Sequence, residues 1–290
     1  MVYTQTKRKE FTIINSRKKS PEGVDESKCY RSKRQGDASD KIMEICREDP
    51  NTHVTVYGGD GSVYESVNAI MSAGAGDSAL LTVIPFGTGN DFVRSLPDEA
   101  SFEKKIDLIK FGDRYSANIL NVGFDCDVVA TTEKLKKLKL VKGGIAYAFG
   151  VLFTIFKKIG KDLEIEFTLE DGTVEYEKGK FLLCAVANGK YYGGGFKCAP
   201  NAELDDGLLD VILVKKISRL RFATFVGGYK KGTHITPDGK ITDKYASVAK
   251  YKRCTAVKFK GLERLCADGE LIACSEADIT VAHKAITIVK

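Results

Sequence analysis

The sequence predicts two domains of different class: an α/β three-layer domain over residues 1–113, and a C-terminal, mainly antiparallel β-sandwich domain over residues 114–290. Three observations carry this. A length of 290 residues exceeds what one hydrophobic core ordinarily serves. Up to about residue 112, short β-branched runs alternate with helical periodicity, the pattern of a largely parallel sheet. From 114 onward, strand-like runs are separated by turn signals such as Glu170-Asp171-Gly172 and Asp205-Asp206-Gly207, as in antiparallel β proteins.

In chain order, residues 1–10 are a ragged basic start. The run 11–15 (Phe-Thr-Ile-Ile-Asn) reads as a first strand, 16–27 as a polar loop carrying Lys18, Lys19, Pro21 and Gly23, and 29–32 as a short second strand. Residues 37–47 read as a helix with Ile42, Met43, Ile45 and Cys46 on its apolar face. Val54-Thr55-Val56-Tyr57 is a buried-strand run that opens onto Gly58, Gly59, Asp60, Gly61 and Ser62. Val63, Val67, Ile70 and Met71 then recur at helical spacing, which makes Ser62 the expected N-cap. A second buried strand, Leu81-Thr82-Val83-Ile84, opens onto Pro85, Phe86, Gly87, Thr88, Gly89, Asn90 and Asp91. A helix or turn over 91–96 stops at Pro97, and 106–109 forms a further strand. In the second domain the runs 116–122, 163–169, 180–187, 208–214, 256–259 and 286–289 read as strands, with one helical interruption over about 131–158.

The apolar fraction of 43% and charged fraction of 29% are those of an ordinary globular protein. A net charge of +6 is a mild basic excess. It permits attraction to phosphates or anionic lipid but does not call for nucleic acid, and the aromatic-basic interleaving of single-strand binders is absent. The start has no apolar core, so no secretory signal is expected. The apolar stretch 144–156 falls short of the roughly 20 residues that span a bilayer. The eight cysteines include no C-x-x-C pair and are expected as reduced thiols in a cytoplasmic protein.

Three glycines directly after a buried strand let a ligand approach the main chain, and clustered N–H groups there receive phosphate oxygens. Loops at the carboxyl ends of parallel strands are where such sheets bind ligands. The 58–62 loop therefore reads as phosphate-handling, with the 87–91 loop closing the same cleft. It is neither a Walker A loop, lacking Gly-Lys-Ser/Thr, nor the Gly-x-Gly-x-x-Gly fingerprint. Asp60 suits a Mg²⁺ that bridges phosphate oxygens. Each motif alone also has a plain structural explanation: a tight strand-to-helix turn for 58–62, a surface i,i+3 pair for Asp91 and Arg94, a flexible hairpin for the cluster around Gly193, Gly194 and Gly195, and a hairpin turn for Asp268-Gly269-Glu270. The acids at 203–210 read as a turn or as an oxygen-rich cation site. Lys134, Lys136, Lys137, Lys139 and Lys142 before the stretch 144–156, with Lys157 and Lys158 after it, read as a solvated helix face or as a cation-flanked segment on an anionic bilayer.

Taken together the motifs are more specific. Gly-Gly-Asp-Gly-Ser at 58–62 with Glu65 and Asn68, Pro-Phe-Gly-Thr-Gly-Asn-Asp-Phe at 85–92 with Arg94, Asn188-Gly189, the glycines at 193–195, Asp205-Asp206-Gly207 and Asp268-Gly269-Glu270 resemble the diacylglycerol kinase catalytic family, of the soluble bacterial lipid kinase type. The resemblance runs from about residue 11 to the C-terminus. It implies an NAD kinase/lipid kinase-like N-terminal domain, a β-sandwich domain and an active site between them. It implies transfer of the ATP γ-phosphoryl group, with Mg²⁺, to the hydroxyl of a diacylglycerol-like membrane lipid, giving phosphatidic acid. By motif, Asn15, Ser32, Gly58, Gly59, Asp60, Gly61, Ser62, Val63, Tyr64, Gly87, Thr88 and Asn90 would hold the nucleotide. Asp60 and Asp91 would belong to the metal and phosphate network, with Asp268 near it, and Glu270 would accept the proton. Asp206, with the carbonyls of Glu203 and Leu208, matches a structural Mg²⁺ site. The protein would sit in the cytoplasm at the inner face of an anionic membrane; a homodimer is compatible with the family, and nucleic acid is not an expected partner.

The chemistry fits, because phosphoryl transfer needs alignment and charge neutralisation more than covalent help. The chain also departs from the family pattern. After Asn15 come Ser16-Arg17-Lys18-Lys19 in place of Asn-Pro and a Gly-rich turn, and the roughly 13 residues between the first two strands are too few for a helix with its loops. Ala267 stands where a bulkier apolar residue is common. Two other readings stay open: an NAD kinase, which shares the Gly-Gly-Asp-Gly signature, and a nucleotide- or lipid-binding relative whose activity faded with the shortened 15–27 segment.

Overall fold

The computed structural model describes residues 8–14, 21–34, 36–87, 89–99, 101–137 and 160–290. Asn15, Lys18, Lys19 and Thr88 lie outside these, as do Lys139, Lys142, Lys157, Lys158 and the stretch 144–156. Strands β1 (Glu10–Ile14), β2 (Cys29–Arg31), β3 (His53–Gly58) and β4 (Leu80–Pro85) pair in parallel in the order β2-β1-β3-β4. Parallel neighbours require crossovers. Helix α1 (Asp37–Glu48) carries the chain from β2 to β3 and helix α2 (Asp60–Ser72) from β3 to β4, and the two pack against each other. Ile42, Cys46, Val67 and Ile70 from the helices bury with Val54, Val56 and Leu81 from the strands in one apolar cluster. The short helix α3 (Asp91–Ser95) follows β4.

The remainder is built from β5 (Glu103–Phe111), β6 (Arg114–Ser116), β7 (Ile119–Gly123), helix α4 (Phe124–Lys137), β8 (Lys161–Leu169), β9 (Val174–Ala187), β10 (Leu209–Lys215), helix α5 (Arg219–Lys231), β11 (Ala249–Lys260), β12 (Arg264–Ala267), β13 (Glu270–Ala273) and β14 (Glu276–Val289). The pairings β8–β9, β9–β10, β10–β11 and β11–β8 are all antiparallel and close on themselves. Leu163, Ile165, Phe167, Val211, Leu213, Val257 and Phe259 belong to the apolar cluster of these strands. The fold class is the one expected: parallel strands with helices first, antiparallel strands after.

The two parts share a ribbon. Residues 276–280 of β14 pair with β11, and residues 287–289 pair in parallel with β4. β5 runs antiparallel beside both halves, with a break in register between Ala282 and Ile286. Lys284 takes a φ of +48° inside that break. Along the ribbon, Ile106, Leu108, Ile286 and Ile288 enter the first cluster, while Ile109, Phe111 and Ile279 enter the second.

Several expectations change in detail. Ser62 is not the N-cap: α2 begins at Asp60 with Gly59 as its cap, so Ser62 lies within the first turn. The single run 116–122 is two strands, β6 and β7, parted at 117–118. The final strand begins at Glu276, ten residues before the expected 286. Helix α5 was not expected. Its Ser218 cap accepts from Arg221 N–H at 3.4 Å, and Gly232 at φ +76° ends it.

Candidate active site

β3 and β4 end side by side, with Gly58 opposite Pro85. Both glycine loops therefore leave the sheet at one edge. The loops touch through their backbones: a Cβ on Gly87 would stand 2.7 Å from the Gly59 Cα, which leaves room only for glycine. The Asn90 side chain braces the second loop, accepting from Gly87 N–H and donating to Gly87 C=O, both at 3.0 Å. It does so from a left-handed conformation (φ +55°) that asparagine tolerates.

The first N–H groups of a helix have no intrahelical acceptor. In α2 those of Ser62 and Val63 turn back onto the Gly59 carbonyl, and no side chain caps the end. Its partial positive charge faces the cleft, where a phosphate would be favoured. Asp60 Oδ1 accepts from Phe92 N–H at 3.1 Å. A Cβ on Gly89 would lie 2.6 Å from Asp60 Oδ2 and 3.7 Å from Asp91 Oδ2. The two carboxylates thus face each other across a glycine. Asp91 is 5% exposed. Its Oδ2 accepts from Gly194 N–H at 2.7 Å and its Oδ1 from Arg94 at 3.0 Å. Burial raises the Asp91 carboxyl above the usual carboxylate range, against the downward pull of the Gly194 N–H; the Asp60 charge adds to the rise.

Opposite these loops, β12 and β13 turn tightly through Asp268 (φ +47°) and Gly269 (φ +94°), with Ala267 paired to Glu270. Positive φ at both central residues is the type I′ hairpin geometry. The Asp268 carboxylate points inward and accepts N–H bonds from Ala117 (2.9 Å), Asn118 (3.3 Å) and Ile119 (2.9 Å). These bonds occupy the connector between β6 and β7, which is why the strand breaks there. Burial pushes the Asp268 carboxyl up to about 6 in spite of those donors, and the Asp60 charge contributes. Glu270 opens β13, half-buried. Tyr64, paired through its hydroxyl with Arg114, lies within electrostatic reach of both Asp268 and Glu270.

A third loop closes the site. Asn188 is fully buried and donates to Asp107 C=O (2.8 Å) and Ala117 C=O (3.0 Å). Ser95 Oγ accepts from Lys190 N–H at 2.9 Å. A Cβ on Gly189 would strike Asn118 Oδ1 at 2.0 Å. The glycine turn then reaches Asp91 through Gly194. Its flanking residues Tyr192 and Phe196 pair across the turn, and both line an aromatic pocket with Phe124, Phe222, Phe225 and Tyr229. Among the described residues of its lining the one acid is Asp125, which accepts from the Tyr192 hydroxyl at 2.9 Å. Burial pushes the Asp125 carboxyl up to about 6. One hairpin thus faces the carboxylates on one side and the pocket on the other.

The structure therefore brings Gly58, Gly59, Asp60, Gly61, Ser62, Gly87, Asn90, Asp91 and Asp268 to one cleft, with Glu270 on the hairpin beside it. Val63 and Tyr64 are 2% and 8% exposed, so contact with a nucleotide would come from their main chain. Ser32 is buried directly after β2, donating its N–H to the C=O of Ile14, the last residue of β1, at 3.2 Å. Asn118, Asn188, Gly194, Arg114 and Asp107 were not assigned roles from sequence. Asp107 carried a signal, a lone carboxylate in the apolar run Ile106-Asp107-Leu108-Ile109.

Of the two acids expected to hold a catalytic Mg²⁺, Asp91 has both oxygens engaged, by Arg94 and by the Gly194 N–H, while Asp60 lends one oxygen to the Phe92 N–H; an ion held by one or two carboxylates plus substrate phosphates would therefore fall to Asp60. Among the described residues no group of three or more His, Cys, Asp or Glu gathers to form a cage. At Glu203, Asp206 and Leu208 the residues do not fit a cation. Asp206 Oδ1 accepts from Leu208 N–H at 3.0 Å, and Asp206 Oδ2 is ion-paired with Arg253.

Residues 6–122 match the profile described as the diacylglycerol kinase catalytic domain, and residues 118–290 match the YegS C-terminal NAD kinase beta sandwich-like domain. A protein of Shewanella frigidimarina named "Probable lipid kinase YegS-like" is 35% identical over 178 residues, 57% of this chain and 55% of that protein. One of the same name from Pseudomonas syringae pv. syringae is 33% identical over 189 residues, 62% and 59% of the two chains. The matches thus span a little over half the length of these relatives. Among solved structures, one of a Bacillus anthracis str. Sterne protein provisionally named a diacylglycerol kinase superposes with a TM-score of 0.70 at 23% identity, covering 97% of each chain. That likeness is one of fold.

Proposed function

The chain belongs to the diacylglycerol kinase catalytic family, with the YegS-type C-terminal domain, and from that membership and the geometry of its cleft we propose that it is an ATP-dependent lipid kinase. The reaction is transfer of the γ-phosphoryl group to a lipid hydroxyl, with diacylglycerol as acceptor and phosphatidic acid as product. The observation that carries this reading is the meeting of three things at one cleft: the uncapped start of α2, the facing carboxylates of Asp60 and Asp91, and the Asp268-Gly269-Glu270 hairpin.

In this reading the backbone of 58–62 and 87–90 cradles the nucleotide phosphates, with Asn15, Ser32 and Thr88 completing the nucleotide site. Mg²⁺ held by Asp60, with Asp91 beside it, would supply charge neutralisation at the phosphates. Glu270 orients the lipid hydroxyl and accepts its proton as the new P–O bond forms. Asp268 is a positioning residue: its three N–H bonds fix the hairpin that presents Glu270. Asp91 and Gly194 tie the nucleotide loop to the acceptor side.

The aromatic pocket behind Tyr192 suits an apolar tail, one hairpin away from the reacting groups. Helix α5 forms part of its wall and exposes Leu220, Arg221, Lys230 and Lys231 on its outer side. An apolar side chain among cations is the composition of a surface that rests on anionic lipid. Among the described residues no helix is long and apolar enough to cross a membrane.

The test is incubation with labelled ATP and Mg²⁺ in the presence of mixed vesicles containing diacylglycerol, and separately with NAD. Label in phosphatidic acid is the expected result. Label in NAD alone would replace this reading with that of an NAD kinase; nucleotide binding without transfer would identify a binding protein.

A further inference from the structure

The turn 203–208 is held by charges of the chain itself. Asp205 pairs with Lys104 at 2.7 Å. Asp206 pairs with Arg253, whose residue stands directly across the β10–β11 ladder from Asp210. Asp210 is 1% exposed; its Oδ1 accepts from the Tyr251 hydroxyl, while its Oδ2 is buried with no hydrogen-bond partner. The Arg253 guanidinium is thus shared electrostatically between Asp206 and Asp210, and the charge of Glu203 acts on both acids as well. Behind the turn, Asp107 is fully buried and accepts from Gly207 N–H and Lys284 N–H, each at 2.6 Å, with His283 Nδ1 at 2.9 Å.

A cluster of carboxylates at the start of a buried strand needs a counter-charge, because unpaired buried charge is strongly unfavourable. The family resemblance places a divalent cation there. In this chain a guanidinium already occupies the position, ion-paired with Asp206 and directly across the ladder from Asp210. We propose that Arg253 takes the place of the structural cation, so that the 203–208 turn folds without Mg²⁺. A guanidinium suits this role because it stays charged and offers several donors in a fixed plane. The inference concerns stability and does not depend on which lipid is phosphorylated.

Mn²⁺ binding to the nucleotide-free protein, read by electron paramagnetic resonance, tests it directly. Wild type and Asp206→Asn should bind the same number of Mn²⁺ ions. Loss of one bound ion in Asp206→Asn would overturn the proposal. Thermal unfolding supplies a second readout. The Asp60→Asn protein, whose catalytic site is disabled, should melt at the same temperature in EDTA and in Mg²⁺. Arg253→Met in that background should melt lower in EDTA and be restored by Mg²⁺, whereas Arg253→Lys should remain insensitive. A Mg²⁺-dependent melting temperature in the Asp60→Asn protein that Asp206→Asn abolishes would refute the assignment, even if Arg253→Met does not fold.

Discussion

Replacing Asp268 by asparagine separates its charge from its shape. The carboxyl is held near 6 against an ordinary value of 3.8. A rise above the unfolded value means that this group's contribution to stability is complete below pH 3.8 and is lost as the pH climbs through 6. The difference amounts to about 3 kcal/mol in full, of which about 2 kcal/mol disappears between pH 4.5 and 7.5. Asparagine does not ionise, so that slope should vanish. It can still accept from Asn118 and Ile119 N–H through its oxygen, but its amide then opposes the Ala117 N–H, donor against donor, at a cost of about 1–3 kcal/mol. At pH 7.5 the relief and the loss nearly cancel, and Asp268→Asn should unfold within about 2 kcal/mol of wild type. Urea unfolding of both proteins at pH 4.5 and 7.5 measures this. Activity should fall all the same, because the repulsion at the Ala117 N–H loosens one of the three bonds by which the 117–119 connector pins the Glu270 hairpin. An Asp268→Asn protein with the wild-type pH slope would show that the carboxylate is not the buried, connector-bound group described.

Other changes act on separate parts of the molecule. Glu270→Gln should lower turnover on the order of 10²–10⁴-fold, while nucleotide affinity measured by calorimetry stays near that of wild type; undiminished turnover would remove Glu270 from its role. Gly189→Ala drives a methyl to within 2.0 Å of Asn118 Oδ1 and 2.9 Å of Ser95 Oγ, and denaturant unfolding should record a loss of about 1–3 kcal/mol. Asp125→Asn keeps an acceptor for the Tyr192 hydroxyl but removes a carboxyl raised from 3.8 to about 6. The variant should be more stable than wild type at pH 7.5, by up to about 3 kcal/mol, with the advantage shrinking as the pH falls toward 4. Calorimetric melting across that range reads the effect, and a constant difference would contradict the buried-acid description.

What the sequence made legible was local. Gly-Gly-Asp-Gly after a β-branched run announces a loop that approaches a ligand, and Asp268-Gly269 announces a hairpin, because both depend on the backbone freedom of adjacent residues. The direction in which Asp268 points depends on a connector about 150 residues earlier in the chain. The plain structural reading of Asp91 was a surface pair with Arg94; the pair exists, but Asp91 is its buried half, clasped by the N–H of Gly194, 103 residues onward. Such long-range bonds leave no periodic trace. Helix α5 was hidden for another reason. Phe222, Phe225, Val226 and Tyr229 have helical spacing, but Gly227-Gly228 interrupts the run and weakens helix propensity. Arg253 sits on β11 among Lys250, Lys252 and Lys258, each of which pairs with a glutamate of β8 or β9, and the sequence does not say which cation of the strand meets Asp206.

The β5–β14 ribbon has a consequence for the order in which the protein is made. The edge of β4, carrying Leu80, Leu81 and Thr82, is covered by Thr287, Ile288 and Val289, which leave the ribosome roughly 200 residues later. Closing so long a loop is slow more than it is costly. The sheet that bears both glycine loops therefore waits, one strand short, through synthesis of nearly everything else, with an apolar edge open to wrong partners. A fragment ending near residue 113 would keep that edge permanently bare, and should aggregate where the whole chain folds.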